Sequence, residues 1–204
     1  MTERDKKALA TRGNLLDSAR KLIGQYGYDN VTVEDIVADC GVAKGTFYHY
    51  FKSKSGILSS LSDSFYETIR ASEALDEHAE IMDRLHGFVS RWYKDVSTFN
   101  LHFAREAIRL YTSSADVGEY GEKVSHMEQG IDLIRGYLSE ALSLGELKAG
   151  TPVETIAKAL MFALQGSTLY QCKHDRDFDV MAWKDEFILH VLDPLLEPWL
   201  AKNA

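Results

Sequence analysis

Proline, cysteine and long apolar runs are all scarce in this chain of 204 residues, which contains three prolines and two cysteines. The few prolines and the long segments of helical periodicity predict an all-helical protein. Cys40 and Cys172 lie far apart inside predicted helices, so we expect buried thiols rather than a disulfide. No run approaches the roughly 18 apolar residues of a membrane span, and the charged N-terminus is unlike a secretory signal. We therefore expect a cytoplasmic protein that makes no membrane contact.

Patterns typical of catalytic and metal sites are also missing. There is no glycine-rich phosphate loop, and no spacing of Ser, His and Asp or of paired carboxylates predicts catalysis. The nearest approach to a metal cluster, Cys172 with His174 and Asp175, lacks a second pair of ligands. We assign no catalytic residue, no metal and no cofactor, and we expect that the protein is not an enzyme.

Charge is unevenly distributed along the chain, whose formal net charge is −8. Residues 1–60 carry nine Lys/Arg and seven Asp/Glu, whereas the remainder carries fourteen basic and twenty-four acidic residues. A weakly basic N-terminal segment on an acidic body is compatible with nucleic-acid binding through that segment alone. Because the acidic body repels phosphate, the same distribution predicts modest non-specific affinity.

Residues 31–51 predict two short helices joined by a tight turn. The first helix, Val33 to Cys40, has Thr32 as its N-cap and Asp35 as the capping-box partner. Gly41 supplies the residue that can adopt positive φ where this helix ends. The segment therefore predicts a helix-turn-helix unit.

The second helix of the pair, residues 43–50, combines an apolar face with a polar face of little bulk. Phe47 and Phe51 lie one turn apart and are predicted to be buried. The opposite face carries Lys44, Gly45, Thr46, Tyr48 and His49. Hydrogen-bond donors without bulk suit a helix that lies in the major groove of DNA.

Helical periodicity continues on both sides of this pair. Residues 1–12 predict a charged arm that is either a solvated terminus or a contact to DNA. Residues 14–26 predict the first helix of a three-helix unit. A fourth helix follows residue 53 without a flexible linker, which predicts a stiff connection to the body.

The rest of the chain predicts a larger helical body. Further helices are predicted at residues 79–98, 101–111, 118–144, 151–172 and 181–199, with Pro194 interrupting the last one. The expected fold is all-α with about nine helices. We place a helix-turn-helix domain at residues 1–52 and a helical ligand-binding and dimerisation domain at residues 53–204.

The helix-turn-helix segment resembles the DNA-binding domain of the tetracycline-repressor (TetR/AcrR) family of bacterial transcriptional regulators. The matching segments are TVEDIVADCGVAKGTFYHYF and the following KSKSGIL. The chain departs from the family pattern at Ser55-Gly56, where an acidic pair is common, and at Tyr50, where His is common. The resemblance covers about forty-five N-terminal residues and implies a DNA-binding regulator.

The resemblance also implies roles for individual residues. Lys44, Gly45 and Thr46 would face base edges. The residues implied to contact the DNA backbone are Thr32 and Val33 at the helix N-terminus, Tyr48, His49, Tyr50 and Lys54. Hydroxyls, ammonium groups and helix N-termini are usual phosphate partners. For Tyr48 and Tyr50, packing against the first helix remains an alternative.

A homodimer through the two long C-terminal helices, residues 151–172 and 181–199, is a further implication of the resemblance. Ordinary monomer core is the alternative for these helices. A dimer would set two recognition helices about one DNA turn apart, which implies a near-palindromic double-stranded operator.

The body is rich in large side chains with polar tips, which can line a mostly apolar pocket. The predicted pocket residues are Trp92, His102, Phe103, Arg105, Tyr111, Met127, Tyr137, Phe162 and Gln165. The expected function is a repressor that a small apolar or aromatic effector releases from its operator. The alternative is a helical ligand-binding or interaction protein whose N-terminal domain contacts a protein partner.

Overall fold

The computed structural model describes residues 2–58, 60–61, 79–98, 105, 108, 126–174 and 177–201. Within these ranges the regular structure is helical, and extended backbone pairs only in an isolated antiparallel bridge between Leu147 and Leu200. The described residues fall into two compact units. The first unit holds the residues up to 61 with Arg105 and Ile108, and the second holds residues 79–98 and those from 126 onward. The predicted all-α fold is confirmed.

Helix α1 spans Glu3–Tyr26 and begins well before the predicted start at residue 14. Its N-cap is Thr2, whose hydroxyl accepts the Asp5 N–H at 3.2 Å while the Asp5 carboxylate accepts the Thr2 N–H at 2.8 Å. Such a capping box satisfies backbone donors of the first turn that would otherwise lack a partner. The prediction of a separate charged arm is therefore wrong, because the polar N-terminus carries its own helix-start signal.

Helices α2 (Val33–Cys40) and α3 (Lys44–Tyr50) form the predicted pair. Thr32 and Asp35 form the predicted capping box at the start of α2. Gly41 follows α2 in the left-handed region with φ of 66°. Because its N–H reaches back to carbonyls of α2, the chain can leave this helix and start the next within three residues.

One apolar core joins α1, α2 and α3 to the first turns of α4, which begins at residue 54. Phe47 and Phe51 are 0% and 3% exposed, as predicted. The other members of this core are Leu15, Leu16, Ala19, Ile23, Val31, Val33, Ile36, Val37, Ile57, Leu58 and Leu61. The first unit thus includes the beginning of α4 and extends past residue 52.

The second unit contains α5 (Ile81–Thr98), α6 (His126–Leu144), α7 (Val153–His174) and α8 (Val180–Phe187). Helix α6 packs along α7, and α8 packs against α5. The bounds of α5 and α7 agree closely with the sequence prediction. Within the described ranges, no helix is long and apolar enough to cross a membrane.

After α8 the chain continues through a π-helical turn, Ile188–Leu192, into the short helix α9, Asp193–Leu196. Pro194 lies in the first turn of α9. The N–H groups of a first turn have no partner within the helix, so the missing N–H of proline is tolerated there. The regular α-helix is therefore interrupted around Pro194, as predicted. The Asp193 carboxylate lies 2.6 Å from His86 Nε2 and links this turn to α5.

Cys40 and Cys172 are both free thiols. Among the described residues, no group of three His, Cys, Asp or Glu side chains is arranged to hold a metal ion. Several residues named in the sequence predictions lie outside the described ranges. They are His102, Phe103, Tyr111 and Asp175.

Candidate nucleic-acid interface

Helix α3 exposes the polar face that its sequence predicts. We call the side chains of this face, with Gly45, the recognition face; its members are Lys44, Gly45, Thr46, Tyr48 and His49. Thr46 is half-buried and the other four are exposed. A Cβ added at Gly45 would meet nothing within 4 Å, so the backbone there is open to an approaching surface. Phe47 anchors the opposite side of α3 in the core.

The ammonium of Lys44 is paired with the carboxylate of Glu34, which lies in the first turn of α2. Nζ also lies 5.9 Å from the centroid of the Tyr48 ring. The hydrogen bond raises the pKa of Lys44 and lowers the pKa of Glu34, because it favours both charged forms. In the free protein, the residue implied to read a base is thus already held by an acidic partner.

Thr32 directs its donors into its own helix cap. Its hydroxyl lies 2.6 Å from Asp35 Oδ2, and its N–H donates to the same oxygen at 2.8 Å. The hydrogen bonds from the Thr32 hydroxyl and backbone N–H lower the pKa of Asp35. The side chain of Val33 is 9% exposed and belongs to the core. Only the backbone of Val33 is therefore available to the surface that would face DNA.

Lys54, which the resemblance implies as a phosphate contact, is engaged within the first unit. Its ammonium donates to the carbonyl of Tyr28 at 2.6 Å and to that of Val31 at 2.8 Å. It also lies 3.9 Å from the centroid of the Tyr28 ring. These contacts join the start of α4 to the loop before α2. The sequence carried no signal for them, because backbone carbonyls 23 and 26 residues away have no residue pattern.

The three aromatic residues at the end of α3 differ in their surroundings. Tyr48 is 49% exposed, and its ring meets that of Phe47 edge-on at 5.5 Å. His49 is exposed, with its ring 4.9 Å from that of Tyr50. Tyr50 is half-buried against the core, which supports the packing alternative for this residue.

A second polar contact, which the sequence patterns did not indicate, orients α2 against α1. The Asp39 carboxylate accepts from Lys21 Nζ at 2.5 Å and from the Ser18 hydroxyl at 2.8 Å. Ser18 is buried, so this contact fixes the α2 backbone against α1 from within the interface. Helix α2 in turn supports the turn that places α3.

The predicted pocket residues of the second unit do not share one environment. Trp92 is buried, and its Nε1–H donates to Thr168 Oγ1 at 3.2 Å. Tyr137 is 3% exposed, and its hydroxyl has no partner among the described residues. Met127 and Gln165 are half-buried. These four residues remain compatible with an interior site.

Phe162 and Arg105 depart from the predicted pocket. Phe162 is 54% exposed on the outer side of α7 and does not lie in the interior of the second unit. Its spacing on an apolar helix could not distinguish an inner from an outer face. Arg105 is exposed and belongs to the first unit.

A buried polar contact that the sequence did not indicate links α5 and α7. The Tyr93 hydroxyl lies 2.8 Å from Ser167 Oγ, and burial raises the pKa of Tyr93. One turn beyond Ser167, Gln171 is 9% exposed, and its Oε1 has no partner among the described residues. The second unit therefore buries polar atoms that could form hydrogen bonds with a bound molecule.

The packed N-terminal unit and the exposed, unobstructed second helix of its helix-turn-helix define a DNA-binding protein of the helix-turn-helix class. Residues 15–61 match the family model described as "Bacterial regulatory proteins, tetR family". This match covers the second half of α1, α2, α3 and the described part of α4, and it includes the segments that carry the sequence resemblance. Residues 15–61 therefore carry a DNA-binding domain of the tetR-family type.

Similar proteins span nearly the whole chain. The fatty acid metabolism regulator protein of Bacillus subtilis (strain 168) is 27% identical over 174 residues, covering 82% of this chain and 87% of its own length. The HTH-type transcriptional repressor NemR of Escherichia coli (strain K12) is 24% identical over 197 residues, covering 92% and 95%. Both relatives are named as transcriptional regulators, which supports a DNA-binding regulator.

A solved structure of the transcriptional regulator FadR from Bacillus subtilis, in complex with stearoyl-CoA, has a TM-score of 0.63 against this chain. Its sequence is 24% identical, and the match covers 86% of this chain and 95% of that one. At this identity the likeness establishes a shared fold.

Proposed function

We propose that this protein is a cytoplasmic repressor that binds a near-palindromic operator as a homodimer and leaves it when an effector binds the second unit. The recognition face is the observation that supports DNA binding. A lysine, hydroxyls and an imidazole lie beside an open glycine on a helix whose other side is anchored by Phe47. Such a surface can enter a major groove and reach base edges.

An exposed apolar strip on α7 supports the homodimer. Phe162, Leu169 and Tyr170 are 54%, 55% and 51% exposed and recur at a helical spacing. Gly166 lies between them, and a Cβ there would meet nothing within 4 Å, so a second helix could approach closely. Large apolar side chains left in water at this spacing are suited to an association surface. In a dimer of this kind, two-fold symmetry places two identical recognition faces on one operator.

The interior of the second unit supports an effector with a large apolar part and a small polar part. Trp92, Tyr93 and Tyr137 place aromatic surface in the interior, while the Tyr137 hydroxyl and Gln171 Oε1 have no partner among the described residues. FadR from Bacillus subtilis was solved with stearoyl-CoA, which makes long-chain acyl compounds the first class to test.

Release from DNA would be a shift between two states. An effector that binds more tightly to a state with the wrong spacing of the two recognition faces lowers the affinity for the operator. Because the coupling is reciprocal, bound operator lowers the affinity for the effector by the same factor. The fourth helix, which follows α3 without a flexible linker, is the element that would carry the change.

The DNA-binding part is tested with DNA from upstream of the chain's own gene, by gel shift and fluorescence anisotropy at several salt concentrations. We expect a sequence-specific complex and a loss of about 5- to 150-fold in operator affinity for Lys44→Ala, the range for one lysine-to-base contact of about 1–3 kcal/mol. Equal losses on operator and unrelated DNA would show a phosphate contact instead. The absence of any sequence-specific complex would favour the alternative, a helical protein whose N-terminal unit binds a protein partner.

The effector part is tested by adding stearoyl-CoA, stearate or CoA to the operator complex. Release by the acyl compounds but not by CoA would support an apolar site. Release by none of them, together with no change in thermal stability, would exclude long-chain acyl compounds as the effector class.

A further inference from the structure

The pair formed by Glu34 and Lys44 lies beside the recognition face. Glu34 belongs to the first turn of α2 and Lys44 is the first residue of α3, ten residues further along the chain. Their side chains are 59% and 53% exposed, so both groups are open to solvent and to a ligand that approaches α3. The Tyr48 ring, one turn beyond Lys44, faces the same ammonium at 5.9 Å.

We propose that Glu34 competes with DNA for the ammonium of Lys44 and thereby limits the strength of operator binding. The inference rests on the proposed function, because it requires that Lys44 contacts DNA. To reach a base edge or a phosphate, Nζ must leave the Glu34 carboxylate. Glu34 then remains without its cation.

The energetic sign follows from comparing the two states. In the free protein the ion pair stabilises the conformation in which Lys44 points to α2. In the complex that stabilisation is lost, so net binding is weaker than the Lys44–DNA contact alone would give. An exposed pair contributes little, which limits the effect to a small factor in affinity.

Two other roles for Glu34 predict different results. A carboxylate that accepts a hydrogen bond from cytosine N4 would read sequence, and its removal would weaken operator binding. A carboxylate that only repels phosphate would weaken binding whether or not Lys44 is present. The effect of Glu34→Gln on operator affinity, measured with and without Lys44, distinguishes the three roles.

The experiment compares the wild type, Glu34→Gln, Lys44→Met and the double variant by fluorescence anisotropy on operator DNA across a salt series. We expect Glu34→Gln to tighten binding by about 2- to 5-fold in the presence of Lys44. In the Lys44→Met background the same change should have no effect. The slope of log affinity against log salt should steepen by up to about one for Glu34→Gln, because no carboxylate is then left to take up a counterion when Lys44 moves to DNA.

Asp29→Asn is the matched control, since it neutralises another exposed carboxylate of the first unit. It should leave operator affinity unchanged within about 1.5-fold, because surface substitutions away from a contact have small effects. Two results would overturn the inference: equal tightening by Asp29→Asn, or tightening by Glu34→Gln that persists without Lys44. Either would show that Glu34 acts only by general repulsion of the DNA phosphates. Weaker binding by Glu34→Gln would overturn it in favour of base reading.

Failure of the inference is distinguishable from failure of the proposed function. If the wild type binds operator and Glu34→Gln binds equally well, the inference alone is wrong. If the wild type forms no sequence-specific complex, the proposed function is wrong and the inference falls with it.

Discussion

The ammonium of Lys54 lies 3.9 Å from the centroid of the Tyr28 ring and 2.6 Å from the Tyr28 carbonyl. A third contact, 2.8 Å to the carbonyl of Val31, closes the loop that leads into α2. A cation in this position neutralises two carbonyl dipoles and packs on an aromatic face. The contact therefore connects the start of α4 to the N-terminus of α2, and through α2 to the recognition helix.

Lys54→Met should destabilise the first unit by about 1–3 kcal/mol, since two carbonyls lose a charged donor. The measurement is hydrogen exchange at the α2 amides, which should lose protection. Lys7→Met, which removes an exposed lysine of α1, is the control and should leave exchange unchanged. The salt dependence of operator binding should stay the same for Lys54→Met. A slope reduced by about one would instead identify Lys54 as a phosphate contact.

Gly41→Ala should destabilise the helix-turn-helix, because Gly41 has φ of 66° and a left-handed alanine costs about 1–2 kcal/mol. The cost comes from the backbone, since a Cβ at this position would meet nothing within 4 Å. Gly45→Ala is the matched comparison, because Gly45 is helical and equally open. It should keep or raise thermal stability while weakening operator binding. Equal melting temperatures for the two variants would contradict this account.

Leu169→Glu should prevent self-association, because it places a charge in the exposed apolar strip of α7. The expected result is a monomer by light scattering, with helix content unchanged by circular dichroism and with weaker operator binding. Leu144→Glu makes the same change at a side chain that is 66% exposed at the end of α6, and it should stay dimeric. A dimeric Leu169→Glu protein would place the association surface elsewhere.

Acid should weaken the contact between α6 and α7 at Glu154. Arg135 donates to this carboxylate through Nε at 2.6 Å and Nη2 at 3.3 Å, and Lys158 lies 2.8 Å away. These donors lower the pKa of Glu154 from 4.5 to about 2. Because the pKa is lower in the folded state, the stabilisation is complete above about pH 4.5 and is lost as the pH falls toward 2.

Glu154→Gln should therefore flatten the dependence of melting temperature on pH between about pH 5 and pH 2. Arg135→Gln should have the same effect, because it removes the principal donor. If both variants keep the wild-type slope, the ion pair does not contribute to stability in solution.

Local signals in the sequence determined the helix-turn-helix. The Thr32–Asp35 cap and Gly41 at the end of α2 depend on neighbours within a few residues, so the sequence predicted them. The start of α1 was missed although Thr2 and Asp5 carry the same capping signal. That stretch is charged and polar, and a cap is a stronger local signal of a helix than composition.

Only the tertiary structure decided which partners the charged groups take and which way the apolar faces point. Lys54 binds carbonyls of a distant loop and Lys44 binds Glu34, and neither choice is visible in spacing along the chain. Phe162 is exposed although helical periodicity alone allowed it to lie in the interior. The physical reason is that caps and turns are closed by bonds between near neighbours, whereas ion pairs and buried faces depend on helices that meet only after the chain has folded.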